Sequence, residues 1–179
     1  MSEKTDKKIG KIHEVLKWPE PVLSKRGEPV TVFDAKLKQL VEEMFDSMYA
    51  AQGIGLAAPQ IGISQRLTVI DCSFKKKPEE KVVLINPEII ERKGKQVEEE
   101  GCRSLPERRD KVSRAAWVKV WAQDVAGKWF EMEGTELLSR AIQHEIDHLD
   151  GILFIDRLSR LKRDLTIRKI KKMQKNGEW

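Results

Sequence analysis

The segment Gln143-His144-Glu145-Ile146-Asp147-His148 constrains this chain more than any other part of its sequence. Two histidines four residues apart project from one face of a helix, about one turn apart, so their ring nitrogens can reach a single metal ion. Glu145 directly follows the first histidine and can contact a water molecule beside that ion. The stretch from about Thr135 to His148 has helical character of its own, and Gly151 is its expected stop. The pattern therefore predicts a metal site on a helix.

A catalytic metal site needs a third protein ligand beside the two histidines. His13 lies far upstream, in the N-terminal arm, and most acids after His148 lie in or near a basic tail with no evident ligand-bearing helix. The segment Glu100-Gly101-Cys102-Arg103-Ser104 offers a better candidate, because the thiolate of Cys102 is a strong ligand for first-row dications. Cys72 lies in an apolar stretch and is interpreted as a small buried hydrophobic residue.

A third segment, Gly53-Ile54-Gly55-Leu56-Ala57-Ala58-Pro59-Gln60, is rich in small residues that let the backbone approach a ligand. Gln60 carries its single polar side chain, which could offer an N–H donor to a developing oxyanion. The alternative is a tightly packed turn that caps the preceding helix. Taken by itself, the segment favours that alternative.

Patterns along the chain predict an α+β fold. Asp34 is the expected N-cap of a first helix that ends at Gly53 and Gly55, where a glycine-rich loop opens. The apolar residues at helical spacing in that helix are Leu37, Leu40, Val41, Met44 and Met48. The stretches that predict strands are 67–72, 82–85, one beginning near Ile89, 117–122, and 129–132. An order of helix, several strands and helix favours a mostly antiparallel sheet.

Proline and glycine mark the boundaries between these elements. The stretch up to Val32 contains several of them and should be extended or looped around the core. Asn86-Pro87 should stop the strand at 82–85, and 124–128 should form the turn of a hairpin.

The length and composition indicate one compact domain that spans residues 1–179. No apolar run approaches the roughly 18 residues that a membrane-spanning helix needs, so no membrane partner is expected. The polar segment from Met1 to Lys8 has no apolar stretch behind it, which argues against a secretory signal. Two cysteines are poor evidence for a disulfide scaffold, and a cytoplasmic location is the expectation.

The C-terminal tail, from about residue 157, is strongly basic. Between Arg157 and Lys175 there are nine Lys or Arg residues and one acid, Asp164. The tail is expected to be helical, with Leu158, Leu161 and Leu165 on one side. Such a tail could contact the ribosome or a nucleic acid, but charge alone favours a solvated helix face.

Together, the three segments resemble the three motifs of peptide deformylases, in order: Gly-hydrophobic-Gly-hydrophobic-Ala-Ala-x-Gln, Glu-Gly-Cys-x-Ser and Gln-His-Glu-x-x-Asp-His. The resemblance runs from about Trp18 to Leu158 and includes Pro106-Glu107-Arg108-Arg109. One departure is visible at Arg103, where the family usually has an apolar residue. The backbone N–H of Arg103 can still serve as a hydrogen-bond donor, while the Arg103 side chain could alter the rim of the site.

The resemblance implies a fold and a set of residue roles. The fold is α+β, with mostly antiparallel sheets around a central metal-binding helix. The implied metal ligands are Cys102, His144 and His148. Glu145 is the implied general base, with the Gln60 side chain and the Arg103 backbone N–H holding the oxyanion.

The implied substrates are N-formyl-methionyl nascent peptides, from which the enzyme removes formate. Ile54 and Gly55 should line the cleft, and a pocket near Ile54, Ala141 and His144 should take the methionine side chain. For Asp147, a salt bridge to an arginine such as Arg114 is expected rather than direct chemistry.

The implied cofactor is one divalent metal ion, Fe2+ in preference to Zn2+, Ni2+ or Co2+. The resemblance also implies a possible partner, since some family members use the C-terminal helix to reach the ribosome.

Two other classes of function stay open at this point. A general metalloprotease would cleave unblocked peptides as well. A non-enzymatic metal or nucleic-acid binder would use the basic tail but leaves Glu145 and Gln60 without a role.

Overall fold

The computed structural model describes residues 10–179, so the segment Met1–Lys8 lies outside the described residues. The α+β fold predicted from the sequence is confirmed. In chain order the helices and strands are α1 (Ala35–Ala50), β1 (Gly55–Ala57), β2 (Leu67–Ile70), β3 (Val82–Lys93), β4 (Gln96–Cys102), β5 (Leu105–Arg114), β6 (Trp117–Gln123), β7 (Trp129–Thr135), α2 (Glu136–Leu149) and α3 (Arg160–Lys175).

All strand pairs in the two sheets are antiparallel. One sheet has five strands in the order β1-β2-β3-β6-β7, and β4 and β5 form a separate hairpin. Helix α2 contacts strands of both sheets, so it lies at the centre of the fold as predicted. Within residues 10–179, none of the helices has the length and apolar character needed to cross a membrane.

Helix α1 begins where its sequence predicts. The Asp34 side chain accepts a hydrogen bond from the Leu37 backbone N–H at 3.0 Å, which caps the first turn. The expected apolar face packs into the core beside β1 and β2, although Leu40 is only half-buried. The prediction that Gly53 and Gly55 end this helix was wrong. The helix ends at Ala50, Gln52 turns the chain with a φ of 57°, and Gly55 begins a strand.

Strand β3 runs through Asn86-Pro87 instead of stopping there, so the two predicted strands are one. A register shift between Ile85 and Glu88 interrupts its pairing with β6. Pro87 cannot donate to a ladder, and a bulge accommodates it. Asn86 has a φ of 50°, and its side chain exchanges two hydrogen bonds with the backbone of Val30, at 2.8 and 2.9 Å. These contacts compensate for the interrupted ladder.

The helical tail is confirmed as α3, but of the three leucines expected on its apolar side only Leu158, just before the helix, packs against the core. Leu161 and Leu165 are 69% and 44% exposed, whereas Ile170 is fully buried. Ile170 lies in a cluster with Leu105 and Phe154, and Ile167 packs against it. The helix is therefore rotated so that its later isoleucines meet the core.

Candidate active site

The fold brings Cys102, His144 and His148 together. Cys102 ends β4, and the two histidines lie one turn apart on α2. The Nε2 atoms of the histidines are 3.1 Å apart, and the Cys102 Sγ lies 3.3 Å from the His148 Nε2. One donor atom from each residue lies within 4.8 Å of the others. The three predicted ligands therefore converge on one point.

This donor set suits a divalent first-row metal ion, because thiolate and imidazole are common ligands of such ions. The Nδ1 of His144 contacts the Glu100 Oε1 at 2.7 Å. A carboxylate at Nδ1 orients the ring and leaves Nε2 free to face the ion, which is the common arrangement around metal-binding histidines. The residues present thus fit the metal that the sequence predicts.

The electrostatics of the cluster favour a thiolate. Burial alone would raise the pKa of Cys102, but the charge of His148 and hydrogen bonds from both histidines outweigh it and hold that pKa well below its usual value. Burial likewise disfavours the imidazolium of His144, yet hydrogen bonds to Cys102 and Glu100 raise the pKa of His144 well above its usual value. A metal cation would replace this proton as the partner of the thiolate.

Glu145 lies beside the cluster and is buried, with 4% of its surface exposed. Burial raises its pKa, and the opposing charges of the histidines do not cancel that effect. Among residues 10–179, no group hydrogen-bonds its Oε2. A Cβ atom added at Gly55 would lie 2.5 Å from the Glu145 Oε1, so only glycine at this position leaves room for the carboxylate. One carboxylate oxygen of this buried residue therefore lacks a protein partner within the described residues.

Gln60 is buried with both ends of its amide engaged. Its Oε1 accepts a hydrogen bond from the Ala57 backbone N–H at 3.0 Å, which directs its Nε2 towards the cluster. The Nε2 lies 3.5 Å from the Cys102 Sγ and 3.2 Å from the Ser104 Oγ. The amide is thus held with its N–H donors facing the candidate metal site.

A cavity of about 510 Å³ opens over these residues. The predicted substrate residues Ile54, Gly55 and Ala141 all line it, as does Arg103. Arg108, Arg109 and Leu137 also line the cavity, although no role was predicted for them from the sequence. A sequence pattern that indicates a basic surface was present at the arginines, because three of them fall within 103–109.

Glu100 organises a buried charge network that was not predicted from the sequence. Its carboxylate accepts hydrogen bonds from Arg114 at 2.8 and 2.9 Å, contacts Arg140 as well, and reaches the metal-site histidine His144. The predicted salt bridge between Asp147 and Arg114 is confirmed, with an Oδ2–Nη1 distance of 2.6 Å. The only sequence signal for Glu100 was its place two residues before Cys102.

Comparisons with known proteins identify the family of this chain. The sequence model of the family described as "Polypeptide deformylase" matches residues 12–164. The chain is 66% identical over 168 residues to a peptide deformylase of Acidobacterium capsulatum, covering 94% of this chain and 99% of that protein. It is 49% identical over 163 residues to one of Chromobacterium violaceum, covering 91% and 96%. The crystal structure of a peptide deformylase from Legionella pneumophila superposes with a TM-score of 0.86 at 48% identity, over 93% of this chain and 98% of that one. The chain therefore belongs to the polypeptide deformylase family.

Proposed function

We propose that this protein is a metal-dependent peptide deformylase that hydrolyses the formyl group from the N-terminal formyl-methionine of nascent polypeptides and releases formate. The observation that carries the proposal is the convergence of Cys102, His144 and His148 beside a buried Glu145 with a free carboxylate oxygen. The family membership supports the same activity. A divalent metal ion held by these three residues would supply Lewis acidity and lower the pKa of a water molecule.

The residues around the metal site have distinct roles in this proposal. Glu145 accepts a proton from the attacking water and returns it to the amine that leaves. The Gln60 Nε2 and the Arg103 backbone N–H donate hydrogen bonds to the formyl oxygen as negative charge develops on it. Because the Ala57 N–H fixes the Gln60 amide, this donor needs little reorganisation during the reaction.

The walls of the main cavity fit the first residue of the substrate. Ile54 and Ala141 line it beside His144, and they offer apolar contact to a methionine side chain. Gly55 leaves its backbone accessible along the cleft.

The activity can be tested directly by formate release. A formyl-Met peptide should release formate, the unblocked peptide should not be cleaved, and a chelator should abolish turnover until a divalent metal is restored. Cleavage of the unblocked peptide at a similar rate would favour a general metalloprotease. Metal binding without any formate release would favour a non-enzymatic binder.

We propose that the working metal is Fe2+, with Ni2+ or Co2+ as active substitutes and Zn2+ as a poor one. The donor set suits several of these ions, and the choice of iron rests on the resemblance to bacterial deformylases. Fe2+ reacts with oxygen, and Cys102 lines the cavity, so its thiolate is placed to be oxidised. Protein purified without oxygen should contain iron and lose activity in air, whereas a nickel-loaded sample should keep it. Equal turnover of the zinc and iron forms, or an iron form and Cys102 unchanged by air, would contradict this.

We also propose that the enzyme works in the cytoplasm and that the basic side of α3 contacts the ribosome. Truncating the helix is a poor test, because Ile170 is fully buried and the Trp179 Nε1 donates to the Trp18 carbonyl at 2.7 Å. Neutralising exposed cations avoids that damage. The changes to glutamine would be made at Arg168, Lys169, Lys172 and Lys175.

This variant should co-sediment less with ribosomes and lose less of its binding as salt rises, because fewer counterions are released. Small-peptide hydrolysis should stay near the level of the unmodified protein. A matched control makes the same change at four exposed lysines elsewhere, namely Lys36, Lys38, Lys76 and Lys95. Equal loss of co-sedimentation in both variants would indicate a general charge effect and argue against a contact through α3.

A further inference from the structure

A second cavity, the side cavity, adjoins the main one. It has a volume of about 430 Å³, and its walls include Ile12, His13, Lys17, Ser47, Ala50 and Arg103. Several residues line both cavities, and Arg103 and Pro106 are among them. The side cavity is therefore continuous with the main cavity across Arg103. A peptide that extends out of the main cavity can reach it.

The N-terminal arm forms one wall of the side cavity and is fixed in place. The Leu16 N–H donates to the Gln60 carbonyl at 2.7 Å, and the Trp18 N–H donates to the Ser104 carbonyl at 2.9 Å. Lys17 lies between these two anchored residues. Its backbone is consequently held against the segments that carry Gln60 and Arg103, while its side chain is exposed.

The charged side chains that line the side cavity are cationic. Among residues 10–179, none of its lining residues is Asp or Glu. Lys17 and Arg103 are both exposed, and neither forms a salt bridge within residues 10–179. By contrast, Arg109 in the main cavity pairs with Glu99 at 3.7 Å. Two like charges without a partner, beside a concave surface, favour an anionic ligand.

We propose that the side cavity binds an acidic side chain of the substrate, carried by one of the three residues that follow the formyl-methionine. This inference rests on the proposed function, since it concerns the same peptide. Lys17 and Arg103 donate to the carboxylate, and Arg103 joins the two cavities. The side chain of Arg103, which departs from the apolar residue usual at this position, thereby sets a charge preference that an apolar residue could not provide.

The test compares amidated peptides, so that no C-terminal carboxylate competes for the cations. The parent is formyl-Met-Ala-Ala-Ala-amide, and each alanine in turn is replaced by Glu, Gln or Lys. At one position, kcat/KM should fall in the order Glu, Gln, Lys, with a Glu-to-Gln ratio of about threefold to tenfold at low ionic strength. The ratio should approach one at about 0.5 M salt, because screening weakens exposed ion pairs.

Two variants tie the preference to the side cavity. Lys17→Gln and Arg103→Leu should each lower the Glu-to-Gln ratio, and the double variant should bring it close to one. The ratio is the readout because a change at Arg103 can alter overall turnover through its neighbouring backbone donor. Lys11→Gln, at an exposed lysine of the same arm that does not line either cavity, should leave the ratio unchanged.

The outcomes separate this inference from the proposed function. No formate from the parent peptide would overturn the function itself. Formate release with a Glu-to-Gln ratio near one at all three positions would overturn the inference and leave the function standing. A ratio that persists in the double variant would also overturn it, because the preference would then arise from other charges.

Discussion

Replacing Glu145 by glutamine should remove nearly all formate release, while the protein keeps about one metal ion per chain. The glutamine amide has almost the same shape as the carboxylate but cannot accept a proton from water. Loss of a general base typically lowers the rate by about 10² to 10⁴-fold. The structure motivates this expectation, because burial raises the pKa of Glu145 and its Oε2 has no protein partner among residues 10–179. The measurement is kcat for a formyl-Met peptide, with metal content determined on the same sample.

Two controls make the Glu145 result interpretable. The proposed metal ligands are on separate residues, so an unchanged metal content excludes loss of the ion as the cause. Glu145→Asp keeps a carboxylate but shortens its reach, and it should therefore retain more activity than Glu145→Gln. Turnover of Glu145→Gln within about tenfold of the unmodified protein would show that another group carries the proton, and the assigned role would have to be abandoned.

The part of the site that depends on local geometry could be predicted from the sequence. His144, Glu145 and His148 lie within one helical segment, and helix periodicity alone places the two histidines on one face. The cap at Asp34 is equally local, since its partner Leu37 is three residues away. In both cases the spacing of residues in the sequence determines their spacing in the structure.

Other features depend on contacts between distant segments and could not be predicted. The bulge at Asn86 is stabilised by Val30, 56 residues away. The β4–β5 hairpin was not recognised because most of its residues are polar or charged and lack a clear apolar alternation. Cys102 was chosen over other third ligands with the help of the three-motif resemblance, since its spacing from His148 carries no helical signal. Contacts between segments that are distant in the sequence determine these features, and a single sequence contains little information about such contacts.

The role of Glu100 could not be predicted from the sequence for the same reason. Replacing this residue has the second large expected effect. Glu100 lies 44 residues before His144 and 40 before Arg140, so no local pattern connects them. Burial alone would raise its pKa, yet hydrogen bonds from Arg114 and His144 outweigh it and lower the pKa of Glu100 to about 2. The carboxylate is therefore charged at neutral pH and compensates two buried guanidinium groups.

Replacing Glu100 by glutamine should lower both stability and metal affinity. Removing one partner of a buried ion pair typically costs about 3 to 5 kcal/mol, because the remaining charge stays buried without compensation. Arg114 keeps its salt bridge with Asp147, but among residues 10–179 Arg140 keeps only its hydrogen bond to the Val112 carbonyl. Loss of a carboxylate behind a metal-binding histidine typically weakens metal binding about 10 to 100-fold. Urea unfolding of the metal-free protein and chelator competition measure the two effects separately.

Glu99 provides a matched control for this change. It is the preceding residue on the same strand, and its side chain is 60% exposed and lies 3.7 Å from the equally exposed Arg109. Because a solvent-exposed pair contributes at most about 1 kcal/mol, Glu99→Gln should change the free energy of unfolding little and leave metal affinity unaltered. If Glu100→Gln were no more destabilised than Glu99→Gln, the buried network would not depend on this carboxylate. If Glu100→Gln lowered the free energy of unfolding but left metal affinity unchanged, Glu100 would stabilise the fold without orienting His144. The expected link between Glu100 and the metal site would then be wrong.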